Sequence, residues 1–346
     1  MLNPIQNQGL RLALGAFRTS PESSLQAEAS VMPLELRRQK LSLQYAVKVS
    51  SHPKNPVYKN IFQIPETIKK IATKNENIIK PFGLRIQDNL KEIEFTENDT
   101  INYYIPETPY WQILVPDINL KLSENIKSKT DPENYYQQYY EILKKDYIEY
   151  ERIFTDGSKD DKSTSSASIS FNPKIPEKSE KIPSNAKIFT AEANAIDIAI
   201  NNISKSENKN FLIITDSLSC LMALKSPNEK NPIILKLKQK IHIALSKNIN
   251  ISLLWIPSHV GIEGNEMADE LAKEALSNNI NKIKIPYTDF KHNITKIIQS
   301  KWQKNWNKET SNKLHYIQPK LTVKTKSELN RNSYVKYTRI KLRHTL

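Results

Sequence analysis

The chain of 346 residues contains a single cysteine, Cys220. One cysteine excludes an internal disulfide framework and a cysteine-rich zinc module. No stretch approaches the roughly 18 uninterrupted apolar residues of a membrane span, and the N-terminus lacks the apolar run and cleavage site of a signal peptide. We therefore expect a soluble, intracellular protein without a membrane partner, and the choice between nucleus and cytoplasm stays open.

Acidic side chains are scarce at one end of the chain. The whole sequence has 51 Lys and Arg against 37 Asp and Glu, a net charge of +14. Residues 281–346 contain 16 basic and 3 acidic side chains, whereas residues 151–280 contain 16 of each. Affinity for phosphate depends on clustered cations. The C-terminal segment is therefore predicted to contact a polyanion, and nucleic acid is the partner class that the charge favours.

Helical spacing of apolar side chains appears at both ends of the chain. Residues 33–49 and 135–150 show it, and repeated prolines between residues 50 and 134 indicate a loosely organised connector. Residues 288–306 also have helical spacing, with lysines opposite the apolar side chains. This basic amphipathic helix either packs against a neighbouring helix or lies along phosphates.

Between residues 151 and 280, strands and helices alternate. The predicted strands are 152–155, 163–171, 211–215 and 251–257, and the predicted helices are 190–203, 235–246 and 264–276. The first two strands flank a predicted turn at 156–159, and a polar link spans 172–186. This alternation predicts an α/β domain whose sheet is partly parallel and has an antiparallel edge.

Acidic side chains stand at the carboxyl ends of two of these strands. Asp156 follows one strand and Asp216 another, while Glu192 and Asp269 lie near the starts of two helices. Ligand sites of open α/β sheets lie at this edge. Each acid alone is explained as well by a turn or by the helix dipole. Four converging carboxylates repel one another unless cations hold them, and oxygen ligands favour Mg²⁺ or Mn²⁺.

Four sequence blocks resemble the type 1 ribonuclease H family. They are FTDGSK (154–159), TAEANAI (190–196), IITDSLS (213–219) and WIPSHVGIEGNEMADELA (255–272). More closely, the chain is similar to the ribonuclease H region of insect non-LTR retrotransposon polyproteins, which include a reverse transcriptase. Residues 1–50 are similar to the segment after the polymerase palm of these elements, and the region after residue 281 to the segment that follows their ribonuclease H.

The resemblance implies a fold and a domain organisation. We expect an α/β, RNase H-like mixed five-stranded sheet flanked by helices at 147–280. A helical N-terminal connector would occupy 1–146, and a basic helical C-terminal tail 281–346. The Ser-rich second strand lacks the glycines common there in the family.

The resemblance also implies an activity, hydrolysis of the RNA strand of an RNA·DNA hybrid by an endonuclease that leaves 5′-phosphate ends. Asp156, Glu192, Asp216 and Asp269 match the carboxylates that bind two Mg²⁺ ions, for which Mn²⁺ can substitute. His259 matches a histidine that assists proton transfer and product release without binding metal. The implied contacts to the sugar-phosphate backbone are those of Gly157, Ser158, Ser217 and Asn265.

Other functions stay open at this point. The only Asp-Asp pair, Asp160–Asp161, lies in a polar turn, so polymerase activity is not expected of this chain, although a polymerase domain or subunit of the parent element is a candidate partner. The main alternative is a catalytically silent nucleic-acid-binding remnant of a truncated retroelement. A transposase or exonuclease of the same fold is a third, which the His259 loop disfavours.

Overall fold

The computed structural model describes residues 2–74, 79–103, 108–109, 112–123, 132–203, 208–321 and 329–342. The chain forms two compact units. The sheet unit consists of Ser50–Asn55 and Glu97–Phe290, and the helical unit consists of Met1–Val49, Pro56–Thr96 and Lys291–Leu346. The basic C-terminal segment from Lys291 onward therefore belongs to the same unit as the N-terminal residues.

A six-stranded mixed sheet forms the centre of the sheet unit, with the strand order β1-β6-β5-β2-β3-β4. The strands are β1 (Asp117–Asn119), β2 (Glu151–Lys159), β3 (Thr164–Ser170), β4 (Lys178–Ile182), β5 (Asn210–Thr215) and β6 (Asn250–Trp255). The pairs β1–β6, β6–β5 and β5–β2 are parallel, whereas β2–β3 and β3–β4 are antiparallel. The predicted combination of a parallel sheet with an antiparallel edge is confirmed.

The described part of the sheet unit contains the helices α7 (Pro132–Asp146), α8 (Ile188–Ile203), α9 (Leu218–Lys225), α10 (Pro232–Ser246) and α11 (Glu263–Ala275). Both α8 and α11 pack on β2 and β3. Helix α8 is rich in alanine and isoleucine and is buried along nearly its whole length. Small side chains let this helix lie close to the sheet, which brings its first turn to the carboxyl end of β2.

The helical unit contains α1 (Asn3–Leu14), α2 (Glu22–Glu28), α3 (Leu34–Ser50), α4 (Pro56–Phe62), α5 (Glu66–Lys74), α6 (Phe82–Glu92), α12 (Phe290–Asn307), α13 (Lys313–Ile317) and α14 (Arg331–Lys341), except that the end residues Ser50 and Phe290 belong to the sheet unit. Its N-terminal and C-terminal parts share one core, composed of Leu10, Leu14, Leu25, Ala27, Trp306, Leu314 and Leu342. Polar contacts join the same parts, because Ser24 Oγ donates to Asn312 Oδ1 at 2.9 Å and Lys341 Nζ lies 2.9 Å from Glu28 Oε2.

Three features of the sheet differ from the sequence expectations. The turn predicted at 156–159 is wrong, because β2 continues to Lys159 while it pairs with β3. The polar link at 172–186 contains β4, whose polar side chains suit a sheet edge. The connector contributes β1, so the sheet has six strands instead of five. Across the described residues, none of the helices has the length and apolar character needed to cross a membrane.

Candidate active site

The pairing of β2 with β5 determines where two of the predicted acids lie. Their last paired residues are Thr155 and Thr215, so Asp156 and Asp216 follow side by side. Beyond this point β2 continues only as the partner of β3, where Asp156 pairs with Ala167. The indole Nε1 of Trp255 donates to the Asp216 carbonyl oxygen at 2.9 Å, which anchors the backbone after β5. Both acids therefore lie where the parallel pairing ends.

Glu192 completes a cluster of three carboxylates. It lies in the first turns of α8, and one carboxylate oxygen from each of Asp156, Glu192 and Asp216 lies within 4.8 Å of the other two. Asp156 and Glu192 are buried. Among the described residues, no hydrogen-bond donor reaches the buried Glu192 Oε2. The structure thus brings together three of the four acids predicted from the sequence.

Asp269 lies on α11 in a second group of candidate ligands, with His259 and Glu266. Their ligand atoms also lie within 4.8 Å of one another, and His259 Nδ1 is 3.7 Å from Glu266 Oε2. Lys273, one turn later on α11, donates to Asp269 Oδ2 at 2.6 Å. The negative charge of Asp269 still acts on the first cluster, because it contributes to raised pKa values of Asp156, Glu192 and Asp216.

Burial and mutual repulsion raise the pKa values of the carboxylate cluster. Desolvation, followed by the charges of Asp216 and Asp269, raises the pKa of Asp156 to about 7. Burial also raises the pKa of Glu192 well above its ordinary value and raises that of Asp216. Carboxylates in such surroundings are costly as anions unless a cation neutralises them. The oxygen-only donors and the unpartnered Glu192 oxygen fit a hard divalent cation.

His259 lies on the loop between β6 and α11, and its side chain is 69% exposed. Its backbone has a φ of 57°, in the left-handed region that residues other than glycine seldom adopt. Backbone strain of this kind often occurs at functional sites. The loop therefore presents the imidazole to solvent beside Glu266 and near Asp216, whose raised pKa the charge of His259 opposes.

The four residues predicted to contact substrate are close in sequence to Asp156, Asp216 and Asp269. Gly157 and Ser158 continue β2, Ser217 precedes α9, and Asn265 lies in the first turn of α11. Ser217 and Asn265 are buried, and the buried Asn265 Oδ1 has no hydrogen-bond partner among the described residues. Their contact with substrate stays a prediction.

Cys220, which we expected to be a small core residue, is fully buried. Burial raises the pKa of its thiol to about 12, so it is a poor nucleophile.

The Ser-rich strand β3 has a structural explanation. Ser165 Oγ donates to the Ala272 carbonyl oxygen at 2.5 Å, and Ser166 Oγ donates to the Ala191 carbonyl oxygen at 2.8 Å. These hydroxyls are buried and attach β3 to α11 and α8, the helices that contain Asp269 and Glu192. Serine therefore supplies a polar attachment at the close approach of strand and helix.

Sequence reasoning missed Glu266 and Lys273, the neighbours of His259 and Asp269. A signal was available, because residues three or four apart on a helix share a face. It also missed Lys159, whose Nζ donates to the Ala186 and Ser184 carbonyl oxygens at 2.6 and 2.8 Å. No local pattern indicates that long-range contact.

Comparison with protein families agrees with this geometry. The RNase H family model matches residues 149–277, which include all the site residues described above. This part of the chain is therefore similar to an RNase H domain. Its mixed α/β sheet with flanking helices is the RNase H fold, and divalent metal ions are general in this family. No curated protein matches the chain.

Solved RNase H structures are also similar to part of the chain. RNase H1 from the halophilic archaeon Halobacterium salinarum is 18% identical, covers 38% of this chain and 99% of its own, and has a TM-score of 0.32. LC11-RNase H1 in complex with an RNA/DNA hybrid is 21% identical, with 36% and 95% coverage and a TM-score of 0.31. The N-terminal RNase H domain of a Mycobacterium tuberculosis protein, fused to maltose-binding protein, is 18% identical, with 36% and 94% coverage and a TM-score of 0.30.

Proposed function

We propose that this chain is an endoribonuclease that hydrolyses the RNA strand of an RNA·DNA hybrid. The observation that carries the proposal is the cluster of Asp156, Glu192 and Asp216, whose ligand oxygens lie within 4.8 Å of one another at the edge of the sheet. The match of residues 149–277 to the RNase H family supports the same reaction and substrate class.

The donor set fits two Mg²⁺ ions, or Mn²⁺ in their place. Asp156, Glu192, Asp216 and Asp269 would hold them. Bound ions of this kind neutralise charge on the attacking and leaving oxygens of an in-line phosphodiester hydrolysis. Lys273 neutralises Asp269, because its Nζ lies 2.6 Å from Asp269 Oδ2.

The other site residues would act on the substrate and on protons. His259, exposed on its loop and 3.7 Å from Glu266, can transfer a proton at Nδ1 or Nε2 to or from a reacting oxygen. Gly157, Ser158, Ser217 and Asn265 would contact the sugar-phosphate backbone. Contacts to the 2′-hydroxyl would distinguish RNA from DNA.

The helical unit is proposed to bind the phosphates of the same substrate. It contains 27 Lys and Arg against 10 Asp and Glu, a net charge of +17, whereas the sheet unit has 24 against 27, a net charge of −3. A groove of roughly 430 Å³ within the helical unit is lined by Leu36, Lys301, Lys304, Asn305, Asn307 and Lys308. Lysine favours contact with phosphate without base readout.

Similarity at both ends of the chain supports an origin in a non-LTR retrotransposon. A polymerase domain or subunit of the parent element would then be the natural partner. The second candidate function is a silent nucleic-acid-binding remnant of such an element. Two observations favour it: the positive charge lies in the helical unit, and Lys273 already neutralises Asp269.

Cleavage of a hybrid by the full chain tests the proposal. A hybrid with a 5′-labelled RNA strand is incubated with protein in Mg²⁺, in Mn²⁺ and in EDTA, and the products are resolved by size. We expect internal cuts with either ion and none in EDTA. Asp156→Asn should abolish them, while the matched variant Asp161→Asn, at an exposed turn residue, should not. Hybrid binding without cleavage would favour the silent remnant, and equal cleavage of duplex DNA would favour a different nuclease.

A further inference from the structure

Residues 280–290, here called the strap, follow the RNase H match and remain attached to the sheet unit. Asn281 N donates to the Lys181 carbonyl oxygen on β4 at 2.7 Å. Ile285, which is fully buried, donates to the Asp99 carbonyl oxygen at 3.0 Å and accepts from Ile101 N at 2.9 Å. Backbone hydrogen bonds thus attach the strap to β4 and to residues 99–101 before it reaches Asp289.

Asp289 caps the helix that contains Glu192. Its Oδ2 accepts hydrogen bonds from Lys187 N at 3.1 Å and from Thr190 Oγ1 at 2.6 Å. Helix α8 has no acidic residue in its own first turn. A carboxylate at this position satisfies an otherwise free N–H group and complements the helix dipole. Burial raises the pKa of Asp289, whereas both hydrogen bonds favour its charged form.

A second connection leads from the strap to α8 through β4. Asn281 Nδ2 donates to Glu180 Oε2 at 2.7 Å, and Glu180 Oε1 accepts from Asn194 Nδ2 at 2.8 Å. Thr190 and Asn194 lie two residues on either side of Glu192. The strap therefore holds α8 directly before and, through Glu180, directly after the buried carboxylate.

We propose that Asp289 is a positioning residue: by capping α8 it fixes the orientation in which Glu192 faces Asp156 and Asp216. This inference rests on the proposed function, because that function identifies the site. The hydrogen bonds of Asp289 are independent of it. Lys159 supports the same turn by donating to the Ala186 and Ser184 carbonyl oxygens. The functional domain then extends to Phe290 and not only to residue 277.

The test compares Asp289→Ala, Asp289→Asn and Asn231→Ala in the full chain. Asn231 caps α10 through Ile233 N, and α10 contains none of the proposed site residues, so Asn231→Ala is a matched cap deletion. Three quantities are measured: amide hydrogen exchange in residues 188–192, Mn²⁺ binding by calorimetry, and hybrid binding by fluorescence anisotropy in EDTA.

For Asp289→Ala we expect roughly five- to tenfold faster exchange at the start of α8. We also expect about tenfold weaker Mn²⁺ binding, the usual order for loss of a residue that orients a ligand. Asp289→Asn keeps an acceptor oxygen and should recover part of both losses. Asn231→Ala should leave Mn²⁺ binding unchanged, and hybrid binding should be the same in all four proteins.

Unchanged exchange or Mn²⁺ affinity in Asp289→Ala would overturn the inference, as would an equal loss of Mn²⁺ affinity in Asn231→Ala. A wild-type chain that binds Mn²⁺ at the cluster but does not cut a hybrid would remove only the proposed function. The exchange and affinity data would then still decide whether Asp289 positions Glu192.

Discussion

The backbone of Gly157 approaches that of Glu192 so closely that a Cβ on Gly157 would lie 2.6 Å from the Glu192 nitrogen. The neighbouring Ala191 carbonyl carbon would be 2.8 Å away. Strand β2 and helix α8 are therefore in backbone contact where Asp156 and Glu192 meet. Any side chain at position 157 must separate the two elements that contain these acids.

Gly157→Ala is accordingly expected to reduce both stability and hybrid cleavage. The added methyl group meets backbone atoms, which cannot rotate away, so a cost of about 1–3 kcal/mol is expected. Thermal unfolding and initial cleavage rates measure the two effects. Gly9→Ala is the control, because Gly9 lies within α1 with nothing within 4 Å of a Cβ, and it should be neutral or slightly stabilising. Wild-type melting and activity in Gly157→Ala would show that the two backbones separate without cost.

The raised pKa of Asp156 predicts how the stability of the metal-free chain depends on pH. The unfolded carboxyl ionises near pH 4, whereas the pKa in the folded chain is about 7. The folded state binds the proton more tightly, so the stability contributed by this group is full below about pH 4 and is lost as the pH rises through 7. Metal-free protein should therefore be less stable at pH 8 than at pH 5.

Asp156→Asn removes the contribution of Asp156 to that dependence and is expected to stabilise the metal-free chain at pH 8 while abolishing cleavage. The gain should be of order 2–4 kcal/mol, the free-energy equivalent of the pKa shift. Melting curves in EDTA at pH 5 and pH 8 provide the measurement, with Asp161→Asn as the exposed control. Addition of Mn²⁺ should raise the melting temperature of the wild type more than that of Asp156→Asn. Identical pH profiles for wild type and variant would refute the assignment.

The sequence predicted those parts of the fold that are marked by a hydrophobic pattern or a motif within a few consecutive residues. The apolar runs of β5 and β6 indicated buried strands, and acids directly after strands indicated one edge of the sheet. Strand β4 was missed because all its side chains except that of Ile182 are polar and at least partly exposed, as at a sheet edge. Strand β1 has only three residues, too few to show the alternation of apolar and polar side chains that indicates a strand.

The site residues were predictable where they lie in short sequence motifs. The residues that position them were not, because these are distant in sequence. Asp289, which caps α8, is separated in the chain from Lys187 by 102 positions and from Thr190 by 99. No local sequence pattern can reveal hydrogen bonds over such a separation. The assembly of the helical unit from both ends of the chain is hidden for the same reason. Residues 291–346 contribute +12 to the net charge of +17 of this unit, and its N-terminal parts contribute the remaining +5.

The charge of the helical unit predicts how hybrid binding depends on salt. Lys304 and Lys308 are exposed beside the groove on α12 and directly after it. The double variant Lys304→Gln/Lys308→Gln should bind the hybrid more weakly. The slope of log K against log salt should become less steep by up to about 2, because each phosphate contact contributes roughly 0.9 to that slope for duplex DNA. Anisotropy titrations in EDTA at several salt concentrations measure this slope.

Substituting these lysines tests their charge more specifically than deleting residues 281–346, because the deletion would also remove Asp289 and part of the helical unit. Lys174→Gln/Lys230→Gln, at exposed lysines of the sheet unit, removes the same charge and should leave the slope closer to that of the wild type. Equal slopes for wild type and Lys304→Gln/Lys308→Gln would show that these lysines do not touch phosphate.

His259 is expected to act on protons and not to hold metal. Its imidazole is exposed on a strained loop and is 3.7 Å from Glu266, outside the buried cluster. His259→Ala should therefore lower kcat by about 100-fold, at the low end for loss of a general acid or base, while KM and Mn²⁺ affinity stay near those of the wild type. Steady-state kinetics on a hybrid and Mn²⁺ calorimetry separate the two roles. His292→Ala, which removes an exposed histidine of α12, controls for loss of an imidazole elsewhere. A marked loss of Mn²⁺ affinity in His259→Ala would instead make His259 a ligand together with Glu266 and Asp269.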